Sequence, residues 1–391
     1  MSDAPIVGQR IREWRRYRGM PLKTLAGLAG LSVGYLSMVE NGKRIVDRMS
    51  HLAAIAAALR VSVAELQRYP SKPLSPDHSA ALAAVPEVRA ALAEIALGLE
   101  PRVLPTAQLA EEVATVHRLR AACDYAALAQ RLPPLLRALG SGDREVHGLL
   151  VQALYVTAFV LKYLGFADLA QTAAQQCWLE ARDLEDPAWQ AVSDFARLHC
   201  LPPELRPVTA SRAVATIDQL AAGSDDRNVL QVIGMLHLTA AWSYAVANDQ
   251  PTVRTHLAEA SELADRLGDD TAGGFAAMWF GPTNVGFWKA GLAVELGEGG
   301  RVREIARELH PEAVASASRR ASYYSDLGRG LAQERRDAEA IAHLVHAEHI
   351  APQRVRTNPA VRETVAGLMR RARNQAADRP LRLLAQASGV F

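Results

Sequence analysis

Among the side chains that could do chemistry here, the basic ones are the most unevenly placed. Residues 1–68 hold 11 lysines and arginines against 5 acidic residues, a net +6. The remainder holds 33 against 37, a net −4. The overall charge of +2 therefore hides a basic N-terminal segment, the distribution that a phosphate-contacting module needs. Covalent and metal chemistry is poorly served. There is no GxxxxGK[ST], no GxGxxG after a strand and no HExxH. Cys123, Cys177 and Cys200 form no CxxC pair and read as buried thiols of a reducing compartment. The 11 histidines are scattered. His343, His346, His349 and Glu348 share one helix, where capping or solvated roles explain them better than a metal. The expectation is no catalytic residue, no metal and no cofactor, and hence no enzyme. The N-terminus carries no apolar signal core, and no run reads as the ~18 uncharged apolar residues of a membrane span. A soluble, cytoplasmic chain is expected.

The elements that would position the basic residues are helices. Val7, Ile11 and Trp14 recur at helical spacing, and Gly19 can end that helix. Pro21 suits the first turn of a second helix carrying Leu22, Leu25 and Leu28. Ser32 can cap a third, VGYLSMVE, which stops near Asn41-Gly42. A fourth runs through Leu52, Ile55 and Leu59, and Ser62-x-x-Glu65 opens a fifth as a capping box. Two short helices joined by a three- or four-residue turn are what a major-groove reader needs.

The segment GMPLKTLAGLAGLSVGYLSMVENGKR resembles the Cro/repressor-type (XRE) helix-turn-helix family. Gly19, Leu25-Ala26, Ala29-Gly30, Tyr35-Leu36-Ser37, Glu40-Asn41-Gly42 and Lys43-Arg44 carry the likeness. It implies that the third helix enters the major groove of double-stranded DNA, on a pseudo-palindromic operator. It also implies that Ser32 and Tyr35 touch phosphate and that Val33, Gly34, Ser37 and Met38 face base edges. Asn41, Lys43 and Arg44 would hold backbone phosphates, and Arg15 and Glu40 would form a structural ion pair. Many relatives have glutamine where this chain has Leu22. The base-facing set contains no Arg, Asn or Gln, so thymine methyl contacts and DNA shape must carry more of the specificity.

Residues 69–79, YPSKPLSPDHS, contain three prolines and read as a linker. Residues 80–391 read as helices throughout. Breaks near Cys123-Asp124, Gly165-Phe166, Leu205-Arg206, Asn248-Asp249, Gly297-Glu298 and Arg335-Arg336 recur about every 40 residues, a period of helix-pair solenoids. Leu331–Ile350 is the stretch most similar to the tetratricopeptide (TPR) pattern, with small Ala340 and Ala347 allowing close packing. A repressor-type head on a TPR-like body resembles the peptide-sensing RRNPP regulators of Gram-positive quorum sensing, and actinobacterial regulators of similar layout. Such a body stacks into a groove. Its candidate ligand residues are Trp279, Asn284 and Trp288, around a helix-breaking Gly281-Pro282, with Asn228 at another helix start. Core packing is the competing account of that aromatic segment.

The fold class expected is all-α: a five-helix lambda-repressor-like helix-turn-helix domain, then a TPR-like α-solenoid. The function expected is a homodimeric DNA-binding transcription regulator whose body senses a peptide or small-molecule effector. The alternative is a DNA-localised protein-interaction adaptor with no small ligand.

Overall fold

Val7 and Ile11 lie one turn apart and are buried, which makes α1 (Val7–Tyr17) the platform of the N-terminal domain. Around it pack α2 (Leu22–Leu28), α3 (Val33–Glu40), α4 (Met49–Leu59) and α5 (Val63–Leu66). Their core is Ile11, Leu25, Leu36, Val39, Leu52, Ile55, Leu59 and Leu66. The Ser62–Glu65 capping box forms in full. Leu28, expected on the buried stripe of α2, is instead 63% exposed at the last position of the helix. At Gly8, α1 meets α3 backbone to backbone: a Cβ there would stand 2.0 Å from the Val39 carbonyl oxygen.

This computed structural model describes residues 7–67, 70, 72–99, 104–140, 144–221, 225–270, 272–372 and 379–390, and no strand occurs among them. The strap read over 69–79 is shorter than expected. Ser75 accepts the His78 N–H and α6 (Pro76–Ala96) begins at Pro76, whose missing N–H costs nothing in a first turn.

The rest is a stack of antiparallel helical hairpins. They are α7 (Thr106–Ala122) with α8 (Tyr125–Leu139), and α9 (Arg144–Tyr163) with α10 (Ala167–Ala181). Then come α11 (Pro187–Cys200) with α12 (Arg206–Ala221), and α13 (Arg227–Val246) with α14 (Gln250–Leu267). Last are α15 (Pro282–Leu296) with α16 (Gly299–Arg307), and α17 (Ala317–Gln333) with α18 (Asp337–Ile350). Three shorter helices close the chain: α19 (Pro352–Val355), α20 (Pro359–Ala372) and α21 (Arg379–Ala387). The periodic breaks are the hairpin turns. Cys123, Gly165, Asn248, Gly297 and Arg335 each take positive φ there, the left-handed cap that exposes the last carbonyls to new donors. The sixth break is a 3₁₀ turn, Pro203–Leu205. The stack curls back on itself: α17 packs on α7, and Gln353 accepts the Ala126 N–H.

Two helices correct the reading that no run has the length and apolarity of a membrane span. Val146–Tyr163 and Arg227–Val246 are long and apolar enough to cross a bilayer by length and composition. Both lie in the middle of the stack, where 67% and 78% of their residues are buried by protein, so neighbouring helices account for their apolarity.

The N-terminal domain docks on this body through helix ends. Glu295, buried at the end of α15, accepts the Met49 and Ser50 N–H groups at 2.8 and 2.7 Å and so caps α4. Glu204 accepts the Val63 N–H at the start of α5, and Glu363 the Val7 N–H at the start of α1. Arg48 donates to the Leu296 carbonyl and Arg329 to the Asp47 carbonyl. Three head helices thus have their positive ends closed by body carboxylates.

Buried histidines give the molecule a pH dependence. Burial pushes His117 down to about 3 and His51 and His237 down to about 4, so all three stay neutral in the folded state. The unfolded chain takes up protons near pH 6.5 that the folded chain refuses, so their contribution is complete above pH 6.5 and is lost as pH falls toward 3–4. Glu295 and Glu363, raised by burial, act in the opposite sense. The clean measurement is therefore a difference. His117→Gln should lose less stability than wild type between pH 7 and pH 5, by about 2 kcal/mol. Parallel denaturation curves for the two proteins at both pH values would contradict the assignment.

Candidate nucleic-acid interface

Helix α3 presents its N-terminal side outward. Ser32 caps it, its hydroxyl accepting the Tyr35 N–H at 3.1 Å. Gly30 to Gly34 have the GxSxG spacing of a nucleophile elbow, but Ser32 lies between two helices with no strand before it. Leu36 and Val39 point into the core. Val33 and Met38 are 44% and 41% exposed, high for apolar side chains on a rigid helix, and Gly34 lies open beside them. Ser37 is half-buried. Asn41 Nδ2 donates to the Ser37 carbonyl at 2.8 Å, closing the helix and leaving the Asn41 side chain at the surface. Lys43 and Arg44 follow it, both exposed.

Tyr35 is set more deeply than its neighbours on α3 that face outward. Its ring is buried between α3 and α4, its hydroxyl lies 3.2 Å from His51 Nδ1, and the Arg44 guanidinium covers the ring at 4.8 Å. Burial, first, raises its pKa. Tyr35 thus ties α3 to α4 and lies under Arg44. His51 and Arg370 are contributions that sequence spacing did not reveal: Arg370, from α20, stands beside Gly42 although 328 positions separate them.

Arg15 and Glu40 meet in a two-pronged pair, Nε to Oε1 at 2.6 Å and Nη2 to Oε2 at 2.7 Å, while Arg15 Nη1 donates to the Met20 carbonyl at 2.9 Å. The hydrogen bond to Glu40 raises the Arg15 pKa. The pair ties α1 to the end of α3. Arg15→Ala would strand the buried Glu40 carboxylate and should cost about 3–5 kcal/mol, whereas Arg16→Ala should be near neutral. Equal melting temperatures for the two variants would contradict this.

The charges and the apolar side chains on this face call for different assays. Lys43→Ala with Arg44→Ala should weaken binding to every DNA sequence and lower the salt slope by about one unit per lost contact. Substituting Met38 or Val33 should change which sequences bind best, by about 1–3 kcal/mol per affected base pair. Equal losses on specific and random DNA from Met38→Ala would remove it from the reading set.

The four candidate ligand residues in the body are not brought together. Trp279 lines a cavity of about 40 Å³. Asn284 is wholly buried and outside the cavity lining, its Nδ2 donating to the Met278 carbonyl at 3.3 Å. Trp288 packs edge-on against His199 and Trp242, one layer behind the cavity. Asn228 sits exposed on the first turn of α13, its N–H bonded to Asp226. No group of three or more metal-ligating side chains occurs among the described residues.

Residues 6–68 match the family model described as a helix-turn-helix domain. The HTH-type transcriptional regulators SinR of Bacillus subtilis (strain 168) and of Bacillus licheniformis are each 36% identical over 58 residues, 15% of this chain and 52% of theirs. The chain thus spans about half the length of these curated relatives. A solved structure, ComR from S. thermophilus in complex with DNA and its signalling peptide ComS, aligns over 86% of this chain and 99% of that one. Its TM-score is 0.29 and its identity 14%. At that score the alignment places no residue of the body. The N-terminal domain is a helix-turn-helix domain of the XRE type, joined to an all-α body.

Proposed function

We propose that the chain is a sequence-specific DNA-binding transcription regulator, working as a homodimer in the cytoplasm on a pseudo-palindromic operator, with a body that responds to an effector. The carrying observation is the outward face of α3: Val33, Gly34, Met38, Lys43 and Arg44 stay exposed while the first turns of α1, α4 and α5 in the same domain are docked. Docking therefore fixes the direction of the reading helix and leaves it uncovered. A dimer with two heads so held presents two reading helices at a set separation, which an operator of matching half-site spacing rewards. An effector that shifts α15 or α20 changes that separation, since Glu295 and Glu363 cap head helices directly. The family match and the transcriptional-regulator relatives support the head's part of this reading.

The test is a fragment of residues 75–391, cut before the Ser75 cap. It should remain helical and dimeric by light scattering at micromolar concentration and bind no DNA. A monomeric fragment would move the dimer contact to the head, and a fragment that still binds operator DNA would overturn the division of labour.

A further inference from the structure

The cavity beside Trp279 is built from cations and rings. Its lining includes Arg120 from α7, Tyr163 and Phe159 from α9, His199 from α11, and Arg319 from α17. No aspartate or glutamate is among the lining residues. Lys162 and Arg354 stand just behind: Lys162 Nζ donates to the His199 carbonyl at 2.7 Å, and the Arg354 guanidinium lies 3.8 Å from the Tyr163 ring centre. Proteins ordinarily pair buried cations with carboxylates, because an uncompensated charge out of water is costly. Here the nearest compensation is partial. Arg120 Nη2 is held by the Ala276 and Ala277 carbonyls at 2.9 and 3.0 Å, and its guanidinium lies over the Tyr155 ring. Arg319 reaches the Met278 carbonyl at 3.5 Å.

Two donors at this site are buried without any hydrogen-bond partner: Nε of Arg120 and Nε1 of Trp279. Such groups are rare in native proteins and point to something that satisfies them. The first turn of α17 also lines the cavity, through Ser316, Ser318 and Arg319, adding the positive end of a 17-residue helix. The wall opposite is backbone held under strain: Ala276, Ala277 and Trp279 all take positive φ near 50–59°. Non-glycine residues in that region persist where the surroundings force them, often at binding sites. Burial opposes ionisation of the Tyr163 phenol, yet Arg354, Lys162, Arg319 and Arg120 together draw its pKa below the usual value.

We propose that this cavity is a binding site for an oxyanion, the carboxylate or phosphate group of a small effector, seated between Arg120 and Arg319 beside Trp279. The volume suits such a group. About 40 Å³ is room for roughly three waters, the size of one carboxylate or phosphate, and the site is partly open to solvent for the remainder of the molecule. The inference names the effector class of the proposed regulator, but anion binding itself needs only the body. It can therefore fail or succeed independently of DNA binding.

The experiment uses the full chain, titrated with inorganic phosphate and with benzoate, and with benzamide as the neutral isostere of benzoate. Thermal shift and calorimetry read binding, and DNA affinity is measured separately. At least one of the two anions should raise the melting temperature in a saturable way, while benzamide should not. Arg319→Gln and Arg120→Gln should each weaken that anion by tenfold or more. Arg319→Lys, which keeps the charge, should retain part of the response, and Arg131→Gln, on the exposed face of α8, should change nothing. Should Arg319→Gln fail to fold, Arg120→Gln and the benzoate–benzamide contrast carry the same test. No saturable response to either anion in the folded wild type would overturn the proposal. So would equal responses in wild type and both glutamine variants, or equal binding of benzoate and benzamide.

Discussion

Gly8→Ala should abolish DNA binding while the body stays folded. The substitution adds one methyl group to a helix, which elsewhere stabilises by up to about 1 kcal/mol. At this site the new Cβ would stand 2.0 Å from the Val39 carbonyl oxygen and 2.8 Å from its carbon. Those atoms belong to the backbone of α3 and cannot rotate away as a side chain would. The contact is relieved only by lifting α1 off α3, which opens the core at Ile11, Leu36 and Val39. It also pulls Arg15 from Glu40. Overpacking against side chains costs about 1–3 kcal/mol, and a clash with fixed backbone belongs at or beyond the upper end. That is a large share of the stability of so small a domain. Gly27→Ala, on α2 with nothing within 4 Å of the added atom, is the matched control and should bind DNA normally. Circular dichroism should show the body's transition unchanged in both. Normal DNA affinity in Gly8→Ala would mean that α1 and α3 do not approach as described.

The second large effect is expected at Gly234→Ala. Gly234 lies on α13, and its added Cβ would meet the Phe280 ring at 2.0, 2.3 and 2.6 Å. Phe280 is fully buried and cannot swing into solvent. The ring must therefore carry its backbone with it, and that backbone is the segment that holds Ala276, Ala277 and Trp279 against Arg120. A destabilisation of about 3 kcal/mol or more is expected, together with loss of whatever binds in the cavity. Gly148→Ala on α9 is helical too, with nothing within 4 Å, and should be neutral or slightly stabilising. A fully stable Gly234→Ala protein that keeps its anion response would contradict the packing.

The head was the most legible part of the chain, for a physical reason. Its helices are short and their ends are marked by residues with local jobs: Ser32 as a cap, Ser62 with Glu65 as a capping box, and Gly30 at a left-handed turn. The hairpin turns of the body were legible for the same reason, since a left-handed cap leaves a trace in the residues around it. What is made between distant segments left none. Nothing near Met49 announces that Glu295 caps its helix, and nothing near Gly42 announces Arg370. The candidate ligand residues show the limit most clearly. The Gly281-Pro282 break is the start of α15, and of the aromatics around it only Trp279 lines the cavity. Asn284 turns inward onto the Met278 carbonyl, while the cavity's charge comes from Arg120 and Arg319, some 200 positions apart. Helical periodicity marks a half-buried arginine as an ordinary surface residue. Only the stack places two of them across one space with no carboxylate between. Tyr35 is the same lesson in the head, since its contact with His51, 16 positions away, is made between two helices and left no local mark.

The central claim is that α3 reads DNA sequence, and selection of bound duplexes from a random library by the full chain tests it most directly. The expected result is enrichment of one motif with two-fold symmetry, its half-sites separated by about one helical turn or a multiple of it. Met38→Ala and Val33→Ala should shift the enriched bases at defined positions. Lys43→Ala with Arg44→Ala should lower recovery without shifting them. A folded protein that enriches no motif, or whose motif is unchanged in both Met38→Ala and Val33→Ala, would contradict the account.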